Sequence, residues 1–580
     1  MKKYLVYFKN NWKNVVLAPI LMCIDAVCSV LQPFFIAEII DKGISTGDTG
    51  YIIKMGLYIV ALAIGTFLGG FGCMYFSAKA SYGFGANLRD ALMKKVQQFS
   101  FANINKFTTA SLITRITNDV EVLVQLVQMC LRLLIRAPFL FIGGVVMAIS
   151  LNKQMSLIIL ALIPLLGLLV FLAIKKAFPL FSIVQKKIDR VNAIIRENLV
   201  GSRVVKAFVR EEYEKERFAG ANNELRNTAV KSFNIMILLS PGVTLIMNIG
   251  IAAVIWLGAQ FAVKGSIEIG EISSYISYMI MTLSSLIMIT VMLMNLSRAK
   301  ASSERIFEVI NEVPDIQDSK VENVEKEHKI TAGKVEYNVE SFEFKDSEGT
   351  PILENIKFTV NPGERVAIIG STGTGKSTLV NLMPRFYDVT KGYVKIDDVD
   401  VREYKLENLR QGIGMVLQEN RLFSGTIREN LLWGNENATE EDIIKACNTA
   451  RIWEYIKAKK DGLESRVEQR GTNFSGGQKQ RLCITRALIK NPKILILDDS
   501  VSALDAKTER ELTDALRKHF AKTTTFTITQ RISSCLLADK ILVIDDGTIV
   551  GMGTHNELLE TCEVYKEIYD SQGMGGDIDG

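Results

Sequence analysis

Ile494 to Asp505 reads Ile-Leu-Ile-Leu-Asp-Asp-Ser-Val-Ser-Ala-Leu-Asp, and this stretch decides the fold of the C-terminal half of the chain. Four successive aliphatic residues are typical of a buried parallel strand. Asp498 and Asp499 follow at its C-terminal end, where α/β sheets place their ligand sites. Such a strand end is typical of nucleotide enzymes that hold Mg²⁺ and polarise water. The second carboxylate is Asp, where the commonest version of the motif has Glu.

The bulk composition indicates a membrane part and a soluble part on one chain. The 580 residues are too many for a single hydrophobic core, so at least two domains are expected. Hydrophobic residues make up 48% of the chain and the mean hydropathy is +0.19, which is high for a wholly soluble protein. The net charge of +5 is mild, and no basic tract indicates nucleic-acid binding. The eight cysteines lack metal-binding spacing and are expected to be free thiols.

The N-terminal half contains six apolar segments, each reaching the roughly 20 residues that a membrane span needs. Before them, Met1–Lys13 combines lysines with apolar residues at helical spacing, which predicts a short helix on the membrane surface. A signal peptide is disfavoured because no small-residue cleavage site closes the first apolar run. A transmembrane domain is therefore predicted over residues 1–300, with spans at 15–40, 52–77, 123–151, 155–175, 233–263 and 272–297.

Two long polar connections, after the second and fourth spans, hold most of the basic residues of this half. The positive-inside rule therefore places the N-terminus and both connections in the cytosol. The connections favour helix, so we expect helices that extend beyond the membrane and turn near Ala102–Thr108 and Glu211–Phe218. We interpret these turns as mechanical contacts with the soluble half.

Several polar residues lie at membrane depth. Asp25 is in the first predicted span, and Gln125, Gln128, Arg132 and Arg136 share one helix face in the third. Intramembrane ionisable groups normally face a bundle interior or a water-filled cavity. The sequence leaves two interpretations open: a partly cationic wall of a translocation pathway, or pairing between helices.

After a charged linker predicted over 301–333, strand-like and helical segments alternate over 334–572, which indicates an α/β domain. Residues 573–580 are predicted to be a flexible tail. A strand at 364–370 leads directly into a phosphate loop and a helical run, the context that supports a nucleotide site. The loop consists of Gly370, Ser371, Thr372, Gly373, Thr374, Gly375, Lys376, Ser377 and Thr378.

Each residue type in this loop suits phosphate binding. Gly373 and Gly375 let backbone N–H groups turn towards phosphate oxygens. Lys376 is expected to reach the β- and γ-phosphates, and the Ser377 hydroxyl to bind Mg²⁺. Asp498 is expected to supply the carboxylate on the Mg²⁺ side. The predicted cofactors are ATP and Mg²⁺.

A second glycine-rich turn, Ser475, Gly476, Gly477 and Gln478, precedes another helical run. It is also an anion-binding turn, although the chain already has a phosphate loop. The duplication is explained if this segment serves a nucleotide that another subunit holds.

Together these motifs resemble an ATP-binding cassette domain, and the entire chain resembles a half-transporter of the ABC exporter type. It is particularly similar to the degenerate-site subunit of bacterial heterodimeric multidrug exporters. The resemblance implies a six-helix transmembrane domain with long cytosolic helix extensions, followed by an α/β P-loop cassette. It also implies that Phe344 stacks on adenine and that Gln418 contacts Mg²⁺ and water. Phe474 to Gln478 would be the signature that closes over the partner's ATP, and Asp505 would belong to the D-loop.

Two residues depart from the family pattern. Asp499 occupies the position of the catalytic Glu, and Gln530 that of the switch His. Asp is one methylene shorter than Glu, and a displacement of about an ångström can cost about 10²-fold in rate. Gln can donate a hydrogen bond but cannot become cationic as His can. The resemblance therefore implies a degenerate ATP site in this chain.

The resulting expectation is ATP-driven export of hydrophobic or amphiphilic compounds by a heterodimer in the cell membrane. The N-terminus and the cassette would be cytosolic. The partner would be a second half-transporter that carries Glu and His at the two departed positions, and no nucleic-acid partner is expected. The alternatives are a lipid or peptide exporter subunit, or an ATP-gated regulatory subunit without transport. The sequence does not identify the substrate.

Overall fold

The computed structural model describes residues 2–318, 328–344, 349–500 and 506–573. The chain divides into two compact units. The first comprises Met1–Lys95 and Ala110–Asn311, and the second comprises Val96–Thr109 and Glu312–Gly580.

The first unit is helical, and the structure has six helices long and apolar enough to cross a membrane, as predicted. A 3₁₀ helix, Lys2–Asn11, precedes them. Their polar extensions continue the helices well beyond the roughly 20 residues of a span. The helices from the first long helix to the last are α1 Trp12–Glu38, α2 Thr49–Gln97, α3 Phe101–Phe107, α4 Thr109–Thr114, α5 Val120–Leu151, α6 Ser156–Val200, α7 Ser202–Ala207, α8 Glu211–Ile237, α9 Leu239–Val263 and α10 Ile269–Asn311.

The last of these helices continues without a break into the range predicted as linker, since α10 ends only at Asn311. Polar contacts hold this extension to the start of α5. Asp119 accepts hydrogen bonds from Arg305 and from Ser302, the latter at 2.9 Å. Arg115 pairs with Glu308 at 2.8 Å. These polar contacts stabilise the end of the long helix together with its buried apolar residues Ile306 and Val309.

Of the two interpretations of the intramembrane residues, pairing holds for one pair. Asp25 on α1 is 2% exposed, and its Oδ2 lies 3.2 Å from Nε of Arg136 on α5. An unpaired arginine at the centre of a membrane helix costs about 2.5–3.5 kcal/mol. The carboxylate of Asp25 offsets that cost for Arg136. Arg132 is half-buried and has no such partner among the residues that the structure describes.

The second unit contains a six-stranded sheet in the order β12-β11-β3-β10-β9-β6, parallel except for β12. An antiparallel sheet in the order β2-β1-β4-β5 packs with it around a common apolar core. The strands are β1 Val335–Phe342, β2 Leu353–Val360, β3 Arg365–Ile369, β4 Lys391–Ile396, β5 Val399–Asp400, β6 Ile413–Val416, β7 Gly425–Thr426, β8 Arg466–Val467, β9 Ile494–Asp498, β10 Thr524–Ile528, β11 Lys540–Asp545 and β12 Thr548–Gly553.

Helices cover this sheet and form a second apolar cluster around α13, α14 and α16. They are α11 Lys376–Asn381, α12 Leu406–Gln411, α13 Ile427–Leu432, α14 Glu440–Thr449, α15 Trp453–Lys457, α16 Gly476–Ile489, α17 Ala506–His519, α18 Ile532–Cys535, α19 His555–Thr561 and α20 Glu563–Ser571.

The first predicted turn, Ala102–Thr108, forms α3 and belongs to the second unit. Ser100 and Asn103 cap this short helix reciprocally. The Phe101 ring packs against Phe386, with ring centroids 4.7 Å apart. Lys106 pairs with Glu312 at 2.8 Å. The contact predicted between this turn and the soluble half is therefore present.

The predicted position of the second turn, Glu211–Phe218, was wrong. Those residues form the first turns of α8, and the chain turns earlier, between the end of α6 at Val200 and the start of α8. Val209 adopts a φ of +52° within this turn. Three glutamates in the first turn of α8 favour a helix start there because they complement the helix dipole.

Candidate functional site

The register of the parallel sheet brings four predicted motifs to one edge. Asp498 at the end of β9 lies level with Ile528 on β10, and Ile528 lies level with Ile368 on β3. Val416 on β6 is level with Leu497. The phosphate loop, Gln418, the two carboxylates and Gln530 therefore all follow the carboxyl ends of adjacent strands, where open α/β sheets bind ligands.

The phosphate loop has the backbone geometry that its glycines predict. Gly373 and Gly375 have φ values of +90° and +91°, a region that side chains other than glycine rarely adopt. A Cβ at Gly375 would lie 2.8 Å from Leu353 Cδ2 and 3.2 Å from the Ile352 carbonyl oxygen, so a side chain here would also be crowded. Gly375 caps α11, which begins at Lys376, and N–H groups at such a helix start favour phosphate.

Within the loop, Lys376 is buried and its Nζ donates to the carbonyl of Gly370 at 2.8 Å and to that of Ser371. Burial lowers the pKa of Lys376, while Asp499 and Asp498 act in the opposite direction. A bound polyphosphate would offset the cost of burying the ammonium group. The remaining loop residues are solvent-accessible at Ser371, Thr372 and Gly373 and partly buried at Thr374, Ser377 and Thr378.

The Ser377 hydroxyl donates to Asp498 Oδ1 at 2.8 Å. Burial raises the pKa of Asp498, the neighbouring Asp499 raises it further, and the bond from Ser377 and the charge of Lys376 lower it. A hydroxyl and a carboxylate are the oxygen ligands that Mg²⁺ prefers. A divalent cation here would also relieve the buried carboxylate, so the residues present fit ATP and Mg²⁺.

Asp499 lies one residue beyond β9 and is partly buried. Its φ is +45°, and its N–H donates to the carbonyl of Ile528 at 3.2 Å. Asp tolerates this left-handed conformation better than most residues. The backbone position of Asp499 is thus fixed by the adjacent strand, so the length of the side chain determines how far its carboxylate reaches. The Gln530 side chain is exposed on the neighbouring strand end.

The loop that carries Gln530 is held by a residue that the sequence analysis missed. The side chain of Gln572 donates to the carbonyl of Gln530 at 2.7 Å and accepts from the N–H of Ile532 at 3.0 Å. Ser534, on the short helix α18 that follows this loop, donates to Glu509 on α17. Gln572 lies just beyond α20 and belongs to no motif, so no pattern in the sequence points to this contact.

Two further predicted residues flank the edge of the sheet. The Phe344 ring packs edge to face against Phe342 and Tyr387, each with centroids 5.1 Å apart. Gln418 is exposed two residues beyond β6. Tyr387 was not predicted, because its aromatic partner Phe344 is distant in sequence.

The signature segment begins α16. Ser475 and Gln478 cap the helix reciprocally, with Ser475 N–H donating to Gln478 Oε1 at 2.9 Å. Ser475 and Gly476 are exposed, whereas Phe474 is buried. Across the described ranges, no hydrogen bond or ion pair joins this segment to the phosphate loop. The D-loop residue Asp505 lies outside the described residues.

The chain belongs to the ABC transporter family. Residues 15–286 match the family model described as the ABC transporter transmembrane region, and residues 353–502 match that described as ABC transporter. Both regions lie on one chain, which makes it a half-transporter of the exporter type and an ATP-driven, multi-pass membrane protein. Its nucleotide-binding region includes the phosphate loop described above.

Three relatives place the chain within this family. An uncharacterized ABC transporter ATP-binding protein of Bacillus subtilis is 38% identical over 99% of this chain and 98% of its own length. An ATP-dependent lipid A-core flippase of Syntrophus aciditrophicus is 35% identical over 86% and 83%. A putative multidrug export ATP-binding/permease protein of Bacillus subtilis is 32% identical over 99% and 99%.

The structure of a bacterial Atm1-family ABC exporter with ATP bound has the same fold. The two superpose with a TM-score of 0.78 at 24% identity, over 98% of this chain and 99% of the other. The predicted fold class, six membrane helices followed by an α/β cassette, is confirmed.

Proposed function

We propose that this chain is one half of a heterodimeric exporter for hydrophobic or amphiphilic compounds, and that its own ATP site hydrolyses slowly. The observation that carries the proposal is a contrast at one edge of the sheet. The residues that would bind ATP and Mg²⁺ match the family pattern, whereas those at the base and switch positions do not. Lys376, Ser377 and Asp498 form the connected arrangement that ATP and Mg²⁺ need. Asp499 and Gln530 stand beside them in place of the base and the switch residue.

In this proposal the phosphate loop, Phe344 and Gln418 bind ATP, and Ser377, Gln418 and Asp498 hold Mg²⁺. The exposed residues Ser475 and Gly476, with Gly477 and Gln478, complete the ATP site of the partner. Their separation from this chain's phosphate loop supports that assignment. The partner would carry Glu and His at the positions of Asp499 and Gln530, and its signature would complete the slow site.

ATP binding would bring the two cassettes together, and the bound ATP at the slow site would hold them while the other site turns over. The segment Val96–Thr109 packs on the cassette through Phe101 and is continuous with α2. It would transmit closure to the membrane helices. Substrate release on the opposite side of the membrane would follow.

The names of two relatives support this substrate class. One relative is named a putative multidrug export protein and another a lipid A-core flippase, and a lipid is an amphiphilic molecule. The second name favours lipid export as the alternative function of this chain.

The test is purification of this chain alone and with a candidate partner of the same family. The proposal expects ATP turnover only in the complex, with amphiphile-stimulated hydrolysis at the partner's site. Robust turnover by the lone chain would contradict the heterodimer. Equal loss of activity after Asp499→Asn and after substitution of the partner's Glu would contradict the slow site. Translocation of a fluorescent lipid, without translocation of any drug, would show that the alternative function, lipid export, is the correct one.

A further inference from the structure

The polar face of α5 differs from the rest of the membrane helices. Gln125, Gln128, Arg132 and Arg136 lie on it at successive turns. Gln125 is exposed and the other three are half-buried, so the face is accessible rather than packed away. It lies on the third candidate membrane helix, in the first half of the predicted span 123–151.

The two arginines on this face are not equivalent. Arg136 is paired with the buried carboxylate of Asp25 at 3.2 Å. Arg132 has neither an ion pair nor a hydrogen bond to any residue that the structure describes. One guanidinium group at membrane depth is therefore neutralised and the other is not.

The side of α5 next to Arg132 packs within the helix bundle. Leu131 and Ile135, its neighbours on α5, pack against a cluster of Ala18, Met22 and Cys73 from α1 and α2. An unpaired guanidinium group facing lipid would be strongly unfavourable, so such groups face a bundle interior or a water-filled space. A group in that position needs an anion, and none of the residues that the structure describes supplies one.

The same helix face becomes apolar over the following turns. Phe139, Ile142 and Val146 are 46%, 59% and 56% exposed. A cationic segment is thus followed by an accessible apolar one along a single helix. That arrangement matches a molecule with an anionic group at one end and a hydrocarbon part at the other.

We propose that Arg132 binds the anionic group, a carboxylate or a phosphate, of an amphiphilic substrate whose apolar part contacts Phe139, Ile142 and Val146. The proposal rests on the proposed export of amphiphiles and narrows it to anionic ones. Asp25 matters for this binding site, because its carboxylate balances the charge of Arg136 through their ion pair. Arg132 alone then sets the charge preference.

The experiment uses the full chain with its partner in phosphatidylcholine nanodiscs. Binding is measured for four probes with the same twelve-carbon chain: dodecyl phosphate, dodecanoate, dodecylphosphocholine and dodecyltrimethylammonium. Either anionic probe is expected to bind about tenfold more tightly than the other two, since a charge-assisted hydrogen bond contributes about this much. Nanodiscs that contain phosphatidylglycerol distinguish the source, because a lipid ligand would then compete with the probes.

Three variants make the test specific. Arg132→Gln is expected to weaken dodecyl phosphate binding about tenfold and to leave dodecylphosphocholine binding unchanged, which also shows that the variant is folded. Arg132→Lys keeps the charge and is expected to stay within about threefold of the native affinity. Asp25→Asn releases Arg136 and is expected to increase affinity for the anionic probes, a gain that misfolding cannot produce.

Equal affinity for all four probes would overturn this inference and leave the proposed function standing. Failure of the Arg132→Gln variant to assemble with the partner subunit would also overturn the inference, because Arg132 would then pair with the other subunit. Absence of binding for every amphiphile would overturn the proposed function as well.

Discussion

Replacing Asp499 by Glu should accelerate ATP hydrolysis at this chain's own site. The backbone of Asp499 is held by its bond to the Ile528 carbonyl at 3.2 Å, so a longer side chain moves the carboxylate and not the strand. One added carbon–carbon bond of about 1.5 Å advances the carboxylate by roughly an ångström. A correction of that size is expected to raise turnover by about 10- to 10²-fold. The gain corresponds to about 1.4–2.7 kcal/mol in the activation barrier.

The assay is single-turnover hydrolysis by the complex, with the partner's phosphate-loop lysine replaced by alanine so that only this site reacts. Gln530→His in the same background should add to the gain, because His can become cationic near the γ-phosphate. Asp499→Asn serves as the control and should leave overall turnover of the unmodified complex within about twofold. A gain of less than threefold from Asp499→Glu would show that reach does not limit this site, and the degenerate-site argument would fail.

Three further changes test other parts of the structure. Asp498→Asn should raise the thermal unfolding midpoint of the nucleotide-free protein near neutral pH, and it should weaken Mg²⁺-dependent ATP binding at least tenfold. Burial raises the pKa of Asp498, so its charge costs stability above the folded-state pKa; this cost disappears as the pH falls and the group is protonated. Phe101→Ala should lower the amount of substrate exported per ATP hydrolysed by roughly threefold to tenfold. It removes the ring packed 4.7 Å from Phe386, a pair worth about 0.5–1.5 kcal/mol. Gln572→Ala should make the amide of Ile532 exchange hydrogen about thirtyfold faster, as measured by mass spectrometry, because two hydrogen bonds of about 1 kcal/mol each are lost.

The changes at Phe101 and Gln572 each have a conservative counterpart. Phe101→Leu keeps apolar contact and should retain most of the coupling. Gln572→Glu keeps the acceptor for Ile532 and should preserve part of its protection. A lower unfolding midpoint for Asp498→Asn at neutral pH, an unchanged export ratio for Phe101→Ala, or unchanged exchange for Gln572→Ala would each contradict the corresponding argument.

The membrane helices and the motif strands could be predicted because their signals are local. Each span is a single apolar run, and the phosphate loop requires glycine at positions such as Gly375 that no other residue fills without strain. The run of aliphatic residues before Asp498 is fully buried in the interior strand β9, as its composition indicates. In each case one short segment carries enough information to fix its own conformation.

The rest depends on residues that meet only after folding. Gln572 reaches Gln530 across 42 positions, and no periodicity marks it. The Asp25–Arg136 pair joins two helices that are distant in sequence, so the spacing on α5 alone could not separate it from Arg132. The second cytosolic turn was misplaced because apolar and basic residues continue past Val200, whereas the acidic start of α8 determines where the helix resumes.

Residues Val96–Thr109 belong to the second unit, and this affects how domains can be exchanged between related transporters. A chimaera that exchanges only the cassette of a relative, cut at the end of α10, would leave Phe101 behind and present it with a foreign surface. The ring of Phe386 would lose its partner in the same step. Functional exchange therefore requires a discontinuous graft, in which the fourteen residues Val96–Thr109 travel with the C-terminal half. Substitutions at the positions of Phe101 and Phe386 should accordingly be correlated among related transporters, since each residue sets the shape that the other must fit.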